Sequence, residues 1–324
     1  MATAHDRIGP WSRPPARRRG WARAVLAMLA AFALATACVP RPTPVAGDDT
    51  IAASVRAPDT RRAPRRSAGC DRASAASAPE RVHVAGTERT FLARVPPGDH
   101  RTPRDLVLAF HGRSQGAGQL RRYAGLDAAL PDAIVVYPRA LAVAPGALAW
   151  GAPDDPPERQ RDFTLVDALI ADLGDAHCLD LDRVFVVGHS LGAYFANDVA
   201  CRLGDRVRAV ASVAGGLQGD GCVGGAAALL VHHPDDRLVP VRDGMAARDA
   251  FRHANALGAA PAVPLTARPL ARLRCARHGA ADVTDPVVWC ARDDATTPQG
   301  GYGPHTWPQG AAAAIGAFFE SLPR

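Results

Sequence analysis

The feature that most constrains the fold is a strand that passes directly into a helix through a turn framed by glycines. Val184-Phe185-Val186-Val187 is apolar without alternation, which predicts a strand buried on both faces. Gly188-His189-Ser190-Leu191-Gly192 follows at once, and a helix is expected to run to about Leu203. A strand buried on both faces and feeding a helix belongs in a parallel sheet with helices packed on either side.

The rest of the chain repeats the pattern. Arg81–Val95 reads as an opening antiparallel hairpin around Ala85-Gly86, and Asp105–His111 as a buried strand with a helix from about Gly118 to Leu130. Further strands are expected at Ala133–Tyr137, Val207–Val213 and Ala227–His232, and further helices at Phe163–Leu173, Val241–Leu257 and Ala311–Leu322. Strands separated by helices of about a dozen residues predict an α/β fold, a mostly parallel sheet with helices on both faces. Such sheets carry their chemistry at the carboxyl ends of the strands.

Charge is unevenly placed. Of the 324 residues, the first 69 carry twelve Arg against four Asp, whereas the remainder carries 26 Arg against 28 acidic residues. The formal charge of +6 therefore belongs to the leader, and a nucleic-acid partner, which needs cations on the folded domain, is not expected. All 38 basic residues are Arg, so Arg abundance by itself carries little functional information. In the leader, Arg17 to Arg19 and Arg23 precede an apolar run from Ala24 to Ala35 and then small residues, the order of an export signal. Leu34-Ala35-Thr36-Ala37-Cys38 resembles a bacterial lipoprotein box, which would make Cys38 a lipid anchor and the sole membrane attachment; an ordinary cleavage site fits the same residues. Residues 1–38 are read as this signal, 39–69 as a Pro/Arg/Ala-rich linker, and 70–324 as the catalytic domain.

Six cysteines follow the leader, an even number that suits an oxidising destination: extracellular, periplasmic or attached to the envelope. Cys275–Cys290 is the favoured pair and Cys178–Cys201 the second. Their spacing is not that of a metal site, so neither metal nor cofactor is expected.

Ser190 stands where a strand-to-helix turn lifts a hydroxyl above the sheet and aims a helix N-terminus at it; helix capping would also explain a serine there. A serine hydroxyl needs a base and an orienting carboxylate before it attacks a carbonyl. Downstream, Ala228-Leu229-Leu230-Val231 leads into His232-His233-Pro234-Asp235-Asp236-Arg237-Leu238-Val239-Pro240, which offers Asp236 as the acid and Asp235 as the alternative. Gly300-Gly301-Tyr302-Gly303-Pro304-His305-Thr306-Trp307-Pro308 presents His305 as the base on a glycine-rich loop. His189 is expected to pack beneath the turn. Phe110-His111-Gly112-Arg113-Ser114 closes an earlier strand, and the backbone amides of Arg113 and Leu191 are the candidate oxyanion donors.

These motifs, in this order over residues 70–324, resemble the secreted poly(3-hydroxybutyrate) depolymerases and feruloyl esterases, which are α/β-hydrolase carboxylic ester hydrolases. The resemblance implies a Ser190–Asp236–His305 triad and an ester substrate. The chain departs from that pattern at Ala193 and His233, where glycine is usual, and at Arg113, where many depolymerases have Cys. With only a terminal helix expected after the catalytic region, hydroxyalkanoate oligomers or short esters are the expected substrates, ahead of crystalline polymer. Feruloyl esters of plant cell walls are the alternative, with Trp150 and Tyr123 as candidate lining of an aromatic acyl pocket and buried packing as the other reading of either residue. An exported binding protein without turnover, or an acyltransferase, would use the same fold.

Overall fold

The computed structural model describes residues 63–72, 80–151, 161–219, 221–294 and 303–323. All fall in one compact unit, Arg56–Arg324. The export signal, Cys38, most of the linker and Gly300 to Tyr302 lie outside the described residues.

The described strands are β1 (Arg81–Val84), β2 (Thr87–Arg94), β3 (Arg104–Phe110), β4 (Ile134–Pro138), β5 (Leu141–Ala144), β6 (Ala147–Ala149), β7 (Leu179–His189), β8 (Ala209–Val213), β9 (Ala227–His232), β10 (Val263–Pro264), β11 (Cys275–His278) and β12 (Val287–Ala291). The helices are α1 (Ala117–Ala124), α2 (Leu126–Ala129), α3 (Arg161–Ala176), α4 (Leu191–Arg202), α5 (Val241–Ala254) and α6 (Ala311–Glu320). The main sheet has the order β1-β2-β4-β3-β7-β8-β9-β12-β11-β10. Its centre from β4 to β12 is parallel, and the pairs outside it are antiparallel.

Burial follows the pleat. Val184 and Val186 of β7 face one core with Phe163, Phe195, Val199 and Phe251, while Phe185 and Val187 face another with Leu120, Ile315, Phe318 and Phe319. Two layers of helix thus sandwich the sheet, as the uninterrupted apolar strands require. The hairpin turns at Ala85 and Gly86, both at positive φ. The helix expected over Gly118–Leu130 is split because Gly125 takes φ 68 and ψ 17, a left-handed stop that ends α1 and starts α2. β7 begins earlier than expected, at Leu179. Arg65 to Ser67, within the expected linker, bond to it: Ser67 N donates to Leu179 O at 3.0 Å and Leu181 N to Arg65 O at 2.8 Å. The packed body therefore starts ahead of residue 70.

Three disulfides join Cys70–Cys178, Cys201–Cys222 and Cys275–Cys290. The last is the pair favoured by sequence, and its cysteines are directly opposed in the β11–β12 ladder. Cys178–Cys201 is corrected. β7 climbs ~3.3 Å per residue from Cys178 to the turn, and α4 returns only ~1.5 Å per residue, which leaves Cys201 roughly 20 Å short of Cys178.

Candidate active site

Four loops meet at the carboxyl ends of the parallel strands, after β3, β7, β9 and β12. Ser190 occupies the turn between β7 and α4 with φ 56 and ψ −123, a region that costs a non-glycine residue of order 1–3 kcal/mol. Glycines make the turn possible. A Cβ on Gly188 would come within 2.1 Å of Gly192 O, and one on Gly192 within 2.1 Å of Phe110 O. Ser190 N donates to Val213 O at 3.0 Å, which ties the strained residue to β8.

His305 reaches Ser190 from the loop ahead of α6: its Nε2 lies 2.9 Å from Ser190 Oγ, and its Nδ1 lies 2.7 Å from Asp236 Oδ2. A carboxylate oxygen can only accept, so Nδ1 carries the proton and Nε2 offers its lone pair to the serine hydroxyl. The other carboxylate oxygen, Oδ1, accepts from the amides of Leu238 at 2.9 Å and Val239 at 3.0 Å. Asp236 is buried, whereas Asp235 is exposed and donates its amide to His233 Nδ1 at 3.0 Å. Of the two candidate acids, Asp236 is the one that faces His305. His233 thus shapes the turn where glycine is usual in the resembling enzymes. His232, buried and pushed below its ordinary pKa by burial, donates Nε2–H to Val239 O at 2.8 Å and closes the same turn.

The loop after β3 presents the other candidate group. His111 is fully buried, and burial lowers its pKa. Its Nε2 accepts from Ala140 N at 3.1 Å, so Nδ1 holds the proton and donates to Gly112 O at 2.8 Å. In a trans peptide the C=O and N–H point in opposite directions, so anchoring Gly112 O turns the Arg113 N–H away from the core. Gly112 N, Ser114 N and Gln115 N all have partners in this loop or in β6, whereas Arg113 N has none among the described residues. Nor does Leu191 N, in the first turn of α4, where helix amides lack intrahelical acceptors. Gly112 abuts the serine: a Cβ there would sit 3.3 Å from Ser190 Cβ.

Trp150 is buried, stacks on Phe195 at 5.1 Å and donates Nε1–H to His111 O at 2.8 Å, so it braces the loop from the core side. Tyr123 is half-buried, its hydroxyl 2.9 Å from Gln115 Oε1 and 2.8 Å from His189 Nδ1. His189 packs beneath the turn, with Nε2 donating to His305 O at 3.0 Å, and burial pushes its pKa down to about 4. Among the described residues there is no cluster of three His, Cys, Asp or Glu side chains placed to hold a metal ion.

A solved acetyl xylan esterase from Aspergillus awamori superposes with a TM-score of 0.53 over 72% of this chain and 94% of that one, at 13% identity. With the parallel sheet and the strained serine turn, this match settles the fold. The chain has the α/β-hydrolase fold. No protein-family model matches it. Among curated proteins, the chain is 33% identical over 207 residues to the protein described as "Putative esterase NocK" of Nocardia uniformis subsp. tsuyamanensis, covering 62% of this chain and 57% of that one. It is 27% identical over 185 residues to feruloyl esterase D of Neurospora crassa, covering 52% and 61%. The matches span less than two thirds of the length of these curated relatives.

Proposed function

We propose that the protein is an exported serine hydrolase of carboxylic esters, acting through an acyl-enzyme on Ser190. The observation that carries this reading is the hydrogen-bonded line from Ser190 Oγ through His305 to Asp236, at 2.9 and 2.7 Å.

Ser190 Oγ attacks the ester carbonyl carbon and its proton passes to His305 Nε2. Asp236 holds the resulting imidazolium, and the amides of Arg113 and Leu191 receive the oxyanion. Collapse expels the alcohol oxygen, which takes the proton from His305. A water then gives a proton to Nε2 and attacks the acyl carbon; Ser190 leaves with that proton, releasing the acid. The chemistry calls for no cofactor or metal.

The relatives named feruloyl esterases support aromatic acyl esters as the first substrate class. Hydroxyalkanoate oligomers are the second, supported by the resemblance of the Ala109-Phe110-His111-Gly112 and Pro304-His305-Thr306-Trp307-Pro308 motifs to the depolymerases. Three disulfides suit an oxidising compartment, in keeping with a signal over residues 1–38 and, where Cys38 is lipidated, an envelope anchor.

The test is turnover by the purified, disulfide-intact protein on methyl ferulate, short 4-nitrophenyl esters and 3-hydroxybutyrate oligomers, with Ser190→Ala in parallel. Hydrolysis abolished by the substitution is expected, and the preferred ester chooses the substrate class. Hydrolysis that survives Ser190→Ala refutes the assignment.

A further inference from the structure

The base of the proposed triad sits on a loop, and loops do not hold a ring to within a few tenths of an ångström unaided. Here each carbonyl from Gly303 to Thr306 accepts a hydrogen bond from a buried side chain. Arg292 Nη2 lies 2.8 Å from Gly303 O, 2.9 Å from Pro304 O and 2.9 Å from Thr306 O. His189 Nε2 lies 3.0 Å from the remaining one, His305 O.

Arg292 is only 2% exposed. It follows β12, and its amide donates to His232 O at 3.0 Å, next to the turn that carries Asp236. Its Nη1 donates to Asp294 O at 3.0 Å and to Asp294 Oδ1 at 2.7 Å. Burying a guanidinium is costly unless its donors are met, and here the acceptors are backbone carbonyls of the base loop together with one carboxylate. The planar fork suits this position because it holds Nη2 among the three loop carbonyls while Nη1 meets Asp294, two places that the single nitrogen of a lysine ammonium does not serve together. Arg292 therefore joins the strand beside the acid to the loop that carries the base.

We propose that Arg292 is a positioning residue that fixes the His305 loop, with His189 as its second hold; this rests on the triad reading above. Neither side chain reaches the serine hydroxyl. Releasing the carbonyls lets His305 Nε2 drift from Ser190 Oγ while the surfaces open to substrate keep their shape, so kcat falls and KM does not. A misplacement of about 1 Å at a reacting group costs on the order of a hundredfold in rate.

The experiment compares wild type, Arg292→Gln, Arg292→Lys, His189→Leu, His189→Gln, Ser190→Ala and His305→Ala on 4-nitrophenyl acetate. Circular dichroism and thermal midpoints establish that each variant is folded at the assay temperature. Arg292→Gln is expected to lower kcat roughly ten- to hundredfold with KM within about twofold of wild type. His189→Leu is expected to lower kcat as well, and His189→Gln, which keeps a donor near the Nε2 position, to restore most of it. The downfield proton resonance of His305 Nδ1–H, assigned by its loss in His305→Ala, is expected to broaden in Arg292→Gln. Where the glutamine variant does not fold, Arg292→Lys decides: a lost kcat supports the proposal and a kcat within twofold of wild type overturns it. A wild-type kcat in a folded Arg292→Gln, with Ser190→Ala inactive, overturns the positioning role alone. Turnover retained by Ser190→Ala overturns the triad reading and this proposal with it.

Discussion

Acid should weaken this fold through His189, and the size of the effect follows from its surroundings. The imidazole is buried beneath the serine turn between Tyr123 Oη and His305 O, and burial lowers its pKa from an ordinary 6.5 to about 4. In the unfolded chain the ring titrates at its ordinary value. Above pH 6.5 neither state carries the proton and the folded state has its full stability. As pH falls from 6.5 to 4 the unfolded chain takes up a proton that the folded chain refuses, so stability is lost across that window. At 1.36 kcal/mol per pKa unit, the loss from this one group is about 3 kcal/mol. His111 and His232, also lowered by burial, act in the same direction. The assay is urea unfolding followed by tryptophan fluorescence from pH 7.5 to 4, comparing wild type with His189→Gln. Glutamine keeps a donor for His305 O and has no proton to gain, so its stability should fall more gently, the two curves separating by about 3 kcal/mol between pH 6.5 and 4. Parallel curves would show that His189 does not take up its proton on unfolding, and would refute the reasoning.

Further expectations concern single groups. Asp236→Asn should lower kcat by roughly 10³- to 10⁴-fold, because an amide no longer fixes the His305 tautomer, whereas Asp235→Asn should leave kcat within about twofold; steady-state kinetics on 4-nitrophenyl acetate separates them. Gly112→Ala would place a methyl 3.2 Å from Gln115 Oε1 and 3.3 Å from Ser190 Cβ, and kcat should drop at least tenfold, as when one oxyanion donor is lost. Opening Cys70–Cys178 by paired Ser substitutions should cost more stability than opening Cys275–Cys290. The bonds span 108 and 15 residues, and loop-closure entropy gives about 4.7 and about 3 kcal/mol respectively; calorimetric midpoints in the opposite order would contradict this.

The sheet was legible because unbroken apolar runs such as Val184–Val187 can be buried on both faces in few other ways. Ser190, Asp236 and His305 stood out because each ends an apolar run or a glycine-rich loop, and the structure brings all three into one hydrogen-bonded line. Asp236 was the preferred acid over Asp235 from the sequence, but the physical reason was not legible, since it lies in which carboxylate a turn directs inward, and that turn is set by His232 and His233. Cysteine pairing was half legible. Cys275 and Cys290 stood out because both flank short strand-like stretches, and the ladder sets them opposite each other, but Cys70–Cys178 spans 108 residues and only the tertiary path brings its ends together. Arg292 left no signal: one Arg among 38 is invisible until its guanidinium is seen among the carbonyls of the base loop. The role of Tyr123 was equally hidden, because it depends on a contact across 66 residues to His189.

The central claim is that Ser190, activated by His305, forms a covalent acyl intermediate. Its most direct test is to treat the protein with a fluorophosphonate and locate the adduct by peptide mass mapping. The account predicts one stoichiometric adduct on the peptide containing Ser190, loss of esterase activity in proportion to labelling, and no labelling of His305→Ala on the same timescale. Full esterase activity in protein labelled at Ser190, or inactivation with the adduct on another residue, would contradict it.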